Sequence, residues 1–227
     1  MKILNKLYKN RKLYVLDEKN FNLLMKILDN DYKIYEEYKN DNRTYVAKIK
    51  IGENFYILKK FYPRKKIKQL MTFFKDSESF TTLRNVEYFR REKGIKELVS
   101  CLGSAEKRKN KIVLEEIMLM EFCVGNKIKV QEDFLKAIES LNNLYKNNRF
   151  HGDCNPNNFI IEKETQEIKI IDTKLKKMWF GNYRMHFDIL VLMKHIPEIL
   201  KYPYKKNIFY YLAKFVRKIR DFKNKLI

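Results

Sequence analysis

Long uncharged apolar runs are missing from this sequence, as are paired cysteines, proline-rich linkers and a glycine-rich loop. No stretch approaches the roughly 18 apolar residues of a membrane-spanning helix. Lys6 and Lys9 interrupt the N-terminal segment where a signal peptide would carry its apolar core, so neither export nor membrane spanning is expected. The three cysteines, Cys101, Cys123 and Cys154, follow no disulfide or metal-ligand spacing, which fits a reducing cytoplasm. With no repeat and no low-complexity segment, the 227 residues read as one continuous unit. That length buries a sizeable core, as one large domain or as two lobes sharing a cleft.

Acidic residues are also in short supply. There are 28 Asp and Glu against 49 Lys and Arg, a formal net charge of +21. Such a surface favours anionic partners: nucleotides, phospholipid surfaces, lipopolysaccharide or nucleic acids. A lysine-rich surface set by base composition alone has the same signature, so charge by itself selects no partner.

The apolar residues that are present fall into recognisable patterns. Tyr32 to Tyr38, Thr44 to Ile51 and Asn54 to Phe61 are rich in Tyr, Ile, Val and Phe and are separated by turn-like pieces, which predicts an antiparallel meander. A helical pattern runs from Ser77 to Glu92, with Gly94 placed to end it. Ile112 to Leu114 and Ile117 to Cys123 read as one or two buried strands. Phe134, Leu135, Ile138, Leu141, Leu144 and Tyr145 then recur at helical spacing over Glu132 to Tyr145. Beyond the segment HGD, Phe159 to Ile161 and Ile168 to Ile171 predict two short strands around a polar turn, and helices dominate from Phe187 onward.

Chemistry concentrates in HGDCNPNNFII and the following IKIIDT. Phosphoryl transfer to a hydroxyl needs a carboxylate to orient the nucleophile and take its proton, and oxygen ligands to hold Mg²⁺ against nucleotide phosphates. Asp, Asn, Pro and Gly are also ordinary turn formers. The order of helix, HGD loop, Asn five residues after Asp, hairpin and terminal Asp is harder to obtain as a mere turn. The segment resembles the H-x-D-x-x-x-x-N catalytic loop of protein kinases, and its HGD form resembles the small-molecule kinases of that fold. The resemblance implies that Asp153 is the catalytic base, Asn158 a magnesium ligand, Asp172 the counterpart of the metal-binding Asp of D-F-G, and His151 scaffolding. Asp172 is followed by Thr173-Lys174, so the activation-segment switch of protein kinases is not implied.

Upstream, Phe55-Tyr56-Ile57-Leu58-Lys59 ends as the family's V-A-I-K strand does, which implies a role for Lys59 at the nucleotide phosphates. Adjacent strand side chains point to opposite faces, so only one of Lys59 and Lys60 enters the site, and register favours Lys59. Glu87 is the best-placed helix carboxylate to hold it, ahead of Glu92 and Glu78. Ile117 to Cys123 resembles the strand that enters a kinase hinge, which implies adenine contacts with the backbone at Glu121 and Cys123. The turn Lys39 to Arg43 contains no glycine where the family has its phosphate-covering loop. Asp188 resembles the aspartate that braces the catalytic loop, with a helix N-cap as its competing role.

IMLMEFCVG, HGDCNPNNFII and IKIIDTK together resemble the lipopolysaccharide core heptose kinases, over about Thr44 to Met193. This implies an α+β, bilobal protein-kinase-like fold. Residues 1–123 would form a small antiparallel β N-lobe with one helix, and residues 124–227 a mainly helical C-lobe. It also implies ATP as phosphate donor, Mg²⁺, and a heptose hydroxyl of a lipid-linked saccharide as acceptor, at the cytoplasmic face of the inner membrane. A monomer with no specific nucleic-acid partner is expected. Ile208 to Ile227 reads as a basic amphipathic helix, packed on the C-lobe or touching an anionic membrane surface. Two other functions fit less well. One is a kinase for a soluble alcohol such as an aminoglycoside or a choline-like molecule, which the basic charge disfavours. The other is an inactive kinase-fold protein that binds polyanions or membranes. A protein kinase is disfavoured by the absence of D-F-G and A-P-E.

Overall fold

The structure, a computed structural model, describes residues 1–63, 66–196 and 201–225; side chains are not described for 66–68 and 223–225. Contacts divide the chain into two compact units, Met1–Gly94 with Val99–Cys123, and Ile95–Leu98 with Val124–Ile227.

The first unit is a seven-stranded antiparallel sheet with helices. Its strands are β1 (Leu4–Tyr8), β2 (Arg11–Val15), β3 (Lys33–Asn40), β4 (Thr44–Ile51), β5 (Asn54–Phe61), β6 (Cys101–Lys109) and β7 (Ile112–Glu121), in spatial order β1-β2-β6-β7-β5-β4-β3. The expected meander is β3-β4-β5. The two segments read near Ile112 and Ile117 are one strand, β7. The hairpin β1-β2, the helix α1 (Lys19–Leu28) and β6 enlarge this unit beyond the small sheet with one helix that was expected. Leu24 and Ile27 of α1 are buried with Leu13, Val15, Ala47, Ile49, Leu58, Ala105 and Leu119 in one core. Gly103 lets α1 approach β6: a Cβ there would lie 2.8 Å from Leu24 Cδ1.

A short helix α2 (Lys66–Met71) precedes α3 (Glu78–Glu92). Helix α3 begins where Ser77, in extended conformation, caps the Phe80 amide with its side chain. Arg90 and Arg91 lie in its last turn, where cations suit the helix dipole, and Gly94 leaves it at φ +67°. Glu87 is among its buried residues, with Leu83, Val86 and Phe89.

In the second unit, α4 (Gln131–Lys146) packs against β9 (Arg149–Phe150) and β11 (Ile168–Ile170). Asp133 starts α4 by accepting the Lys129 and Val130 amides at 2.8 and 3.1 Å. Strand β10 (Phe159–Glu162) sits between β11 and β8 (Gly125–Lys127), all antiparallel, and β12 (Lys176–Lys177) pairs with β9. Gly125 is required at β8, since a Cβ would meet the Ile161 carbonyl oxygen at 2.1 Å.

Helices α5 (Tyr183–Met193) and α6 (Ile208–Lys225) pack through Phe187, Leu190, Tyr210 and Ala213. Helix α5 starts ahead of Phe187, so Asp188 lies inside it and not at its cap. Helix α6 is the C-terminal amphipathic helix; the last two residues of its expected span, 226–227, lie outside the described residues. Asn207 caps it, accepting the Phe209 and Tyr210 amides at 3.0 and 3.1 Å. Among the described residues, no helix is long and apolar enough to cross a membrane.

Candidate active site

The HGD segment lies between β9 and β10 and is held from beneath by α5. Asp188, fully buried, accepts the His151 amide at 2.8 Å and the Gly152 amide at 3.1 Å. Its carboxyl pKa is pushed up to about 7 by burial, against the opposing pull of these amides, the Cys154 thiol and Arg184. Two peptide dipoles aimed at one carboxylate fix the backbone just ahead of Asp153. Gly152 stands at φ +91°, a conformation that favours glycine at this point of the loop.

His151 completes the scaffold. Its ring Nδ1 accepts the Asp153 amide at 3.2 Å and its Nε2 lies 3.2 Å from the Ile171 carbonyl oxygen, so the pattern assigns the proton to Nε2. The Thr173 hydroxyl donates to the His151 carbonyl at 3.2 Å and accepts the Leu175 amide at 3.2 Å. His151 and Thr173 are both buried. The side chains of Asp153 and Asp172, by contrast, are exposed.

Asn158 links the loop to the strand end. It ends a single 3₁₀ turn, Pro156–Asn158, that Asn155 caps through the Asn157 amide at 3.0 Å. Its side-chain NH₂ donates to the Asp153 carbonyl at 2.8 Å, and its own carbonyl accepts the Ile171 amide at 3.0 Å. Asp153, Asn158 and Asp172 are thus brought into one hydrogen-bonded neighbourhood. Asp172 itself has φ +54° and Leu175 φ +45°, so the chain turns sharply on either side of Thr173. Non-glycine residues held there cost of order 1 kcal/mol or more and recur at functional sites.

Because the Asn158 NH₂ is committed to Asp153, its amide oxygen faces away from that bond. An amide oxygen beside a carboxylate is a hard donor set of the kind Mg²⁺ accepts while it shares its remaining positions with water and phosphate. The residues present therefore fit such an ion.

In the first unit, Lys59 on β5 is 7 % exposed, opposite Val46 of β4 and Met118 of β7. Lys60 turns to the other face, where it meets the Tyr32 hydroxyl at 3.4 Å and the rings of Tyr32 and Tyr45. Glu87 is fully buried and accepts the Cys101 amide at 2.8 Å, with Arg90 and Arg91 at 3.2 and 3.1 Å. Burial raises the Cys101 thiol to about 12; the Glu87 charge adds to the rise and the Lys59 charge opposes it. Both charges therefore act on one thiol at the inner end of α3. Glu78 and Glu92, the other carboxylates weighed for this place, are exposed.

At the end of β7, the Glu121 amide is committed to the Ser100 carbonyl at 3.1 Å, and Cys123 lies just beyond, half-buried. The glycine-free turn before β4 is closed by Asp41, whose carboxylate accepts the Arg43 and Thr44 amides, both at 2.8 Å. These bonds hold the Asp41 carboxyl below its usual value. A side-chain cap thus closes this turn without a glycine and occupies both amides itself. Asp41 is an organising residue outside the motifs, whereas Asp188 braces the HGD loop as its resemblance implies. The Asp-x-Arg-Thr turn pattern was a signal for the first.

Among solved structures, the chain is similar to that of the Cydia pomonella granulovirus kinase PK-1, with 15 % identity over 85 % of this chain and 79 % of that one, at a TM-score of 0.52. That likeness establishes a protein-kinase-like fold. The family model described as "Lipopolysaccharide core biosynthesis protein (WaaY)" matches residues 2–227, so the chain belongs to that family, and family and fold together make the protein a kinase. No curated protein sequence matches it significantly.

Proposed function

We propose that the protein transfers the γ-phosphoryl group of ATP to a heptose hydroxyl of the lipopolysaccharide inner core, with Mg²⁺, at the cytoplasmic face of the inner membrane. The observation that carries the phosphotransfer reading is the loop pinned by Asp188, which presents Asp153 to solvent with Asn158 bonded to its backbone. Family membership supports the acceptor class.

Asp153 orients the sugar hydroxyl and accepts its proton as the oxygen attacks the γ-phosphorus. The new O–P bond forms while the bond from the γ-phosphorus to the bridging β-phosphate oxygen breaks, and ADP leaves with the electron pair. Lys59 binds the phosphates and Glu87 sets its direction. Backbone groups at Glu121 and Cys123 receive the adenine; with the Glu121 amide already used by Ser100, its carbonyl is the group offered there. Asn158 and Asp172 would hold Mg²⁺, which supplies charge neutralisation at the phosphates when bound. Electrostatics favour this acceptor over a soluble cationic alcohol, because a net charge of +21 attracts a phosphorylated saccharide and repels an amine.

The test is mass spectrometry of lipopolysaccharide from cells with and without the gene, beside transfer from labelled ATP to purified core acceptor. A phosphate lost from core heptose, and label gained in vitro, are expected. Identical core from both strains, with label passing instead to a soluble alcohol, overturns the acceptor assignment.

A further inference from the structure

Helix α6 has two apolar faces, and among the described residues only one is covered. Tyr210, Ala213 and Val216 pack on Phe187, Leu190 and Val191 of α5. On another face Ile208, Tyr211, Leu212, Phe215, Ile219 and Phe222 recur three, four and seven residues apart and are all exposed, Phe222 to 63 %. This is the spacing of a continuous helical stripe. Lys214 and Lys218 flank it on one side, both exposed, whereas Arg220 continues the covered face and lies 5.9 Å from the Phe187 ring.

A second exposed apolar segment, a loop outside the motifs, lies at the N-terminal turn of α6. After β12 the chain runs through Trp179, 84 % exposed, and Phe180, 62 % exposed. Phe180 packs edge-on against Phe209 of α6 with ring centroids 5.4 Å apart. Gly181, at φ +48°, permits that approach: a Cβ there would lie 2.4 Å from the Phe209 ring. The Met178 amide bonds to the Asn148 carbonyl at 3.1 Å, so the loop is tied down just before Trp179. Lys177 stands 4.7 Å from the Trp179 ring.

We infer that Trp179, Phe180 and the Ile208–Phe222 face of α6 form one docking surface for an anionic phospholipid bilayer. Exposed aromatic and aliphatic side chains bordered by cations match the boundary between headgroups and acyl chains, with tryptophan at its edge. Charge complementarity selects this occupant: the rim carries Lys177, Lys214 and Lys218, which a second copy of a chain of net charge +21 would oppose. The inference stands apart from the acceptor assignment, since it concerns where the enzyme sits and not what it phosphorylates.

Trp179 is the chain's one tryptophan and reports directly. Full-length protein mixed with vesicles of phosphatidylethanolamine and phosphatidylglycerol should show a blue-shifted emission, protection from acrylamide and quenching by brominated acyl chains. All three should weaken with salt and on pure phosphatidylcholine. Phe215→Ser with Phe222→Ser should weaken vesicle binding about tenfold or more, from the apolar area removed. Lys214→Glu with Lys218→Glu, at exposed positions that do not bear on folding, should abolish the preference for phosphatidylglycerol, and this pair decides the matter if the first unfolds. Transfer to a water-soluble acceptor should be unchanged in both. Unchanged tryptophan emission with every vesicle overturns the inference, as does lipid-free protein sedimenting as a dimer with Trp179 already shielded from acrylamide.

Discussion

The two units hold their charged groups in opposite ways. In the first, Lys59 and Glu87 are themselves buried, and the Cys101 amide fixes the Glu87 carboxylate. In the second, Asp153 and Asp172 stand in solvent, while the residues that fix them, Asp188, His151 and Thr173, are buried below. The first arrangement ties function to stability, because removing Glu87 leaves the Cys101 amide unsatisfied in a dry place. The second separates them. A loop residue that works in solvent can change without disturbing its support, and the support can fail while the working residue is intact.

The largest effect that sharpens this contrast is on rate. Asp153→Asn is expected to lower phosphoryl transfer by about 10² to 10⁴, the range typical of a lost general base. Its melting temperature should match the wild type, since an exposed isosteric change costs no more than about 0.5 kcal/mol. A large loss of stability would show that Asp153 is structural and would erase the distinction between the units.

Glu87→Ala should do the reverse. Removing a fully buried carboxylate that accepts the Cys101 amide should cost about 3 kcal/mol. Glu92→Ala, on the same helix but exposed, should stay within about 0.5 kcal/mol. Urea unfolding of both variants gives the comparison, and equal midpoints would sink it.

A smaller effect lies in pH. The Asp188 carboxyl is raised from 3.8 to about 7, so the folded protein binds more protons than the unfolded chain between those values. Its contribution is fully present below about pH 4 and is lost as pH rises to about 7. The stability gap between wild type and Asp188→Asn should therefore narrow between about pH 4 and pH 7 in paired melts and change little above. A constant gap would mean that the amides of His151 and Gly152 outweigh burial and keep the group ionised when folded.

These tests also mark what was legible in the sequence. Helices α3 and α4 announced themselves by spacing and by their ends, and the trio Asp153, Asn158 and Asp172 by offset. Among the buried supports, Thr173 was the one with no local signal for its bond to the His151 carbonyl. Asp188 was legible as a brace through its resemblance, and its competing place at a helix cap arose because the apolar run starts at Phe187, whereas the first turn of α5, Tyr183 to His186, carries mixed residues. The hairpins β1-β2 and β6-β7 turn through Lys9-Asn10 and Asn110-Lys111, all four at positive φ without a glycine to signal it. Strand β6 gives little alternation to read, with Gly103, Ser104, Ala105 and Glu106 all buried in succession. Burial of polar groups depends on partners distant in the chain, and local pattern does not encode it.

The smallest effect separates two neighbouring lysines. Lys60 reaches the Tyr32 hydroxyl at 3.4 Å, near the limit of a hydrogen bond, and lies 5.9 and 5.7 Å from the Tyr32 and Tyr45 rings. Contacts that long, on a half-buried side chain, are worth no more than about 1 kcal/mol together. Lys60→Ala should therefore shift stability only slightly and leave the KM for ATP unchanged. Lys59→Ala, one residue away on the opposite face, should raise that KM and slow transfer, because a buried ammonium opposite Met118 has been removed. The pair is measured by initial rates across ATP concentrations. Should Lys60→Ala carry the larger kinetic defect, the nucleotide would belong to the tyrosine-lined face of β5, and the role given to Glu87 would fall with it.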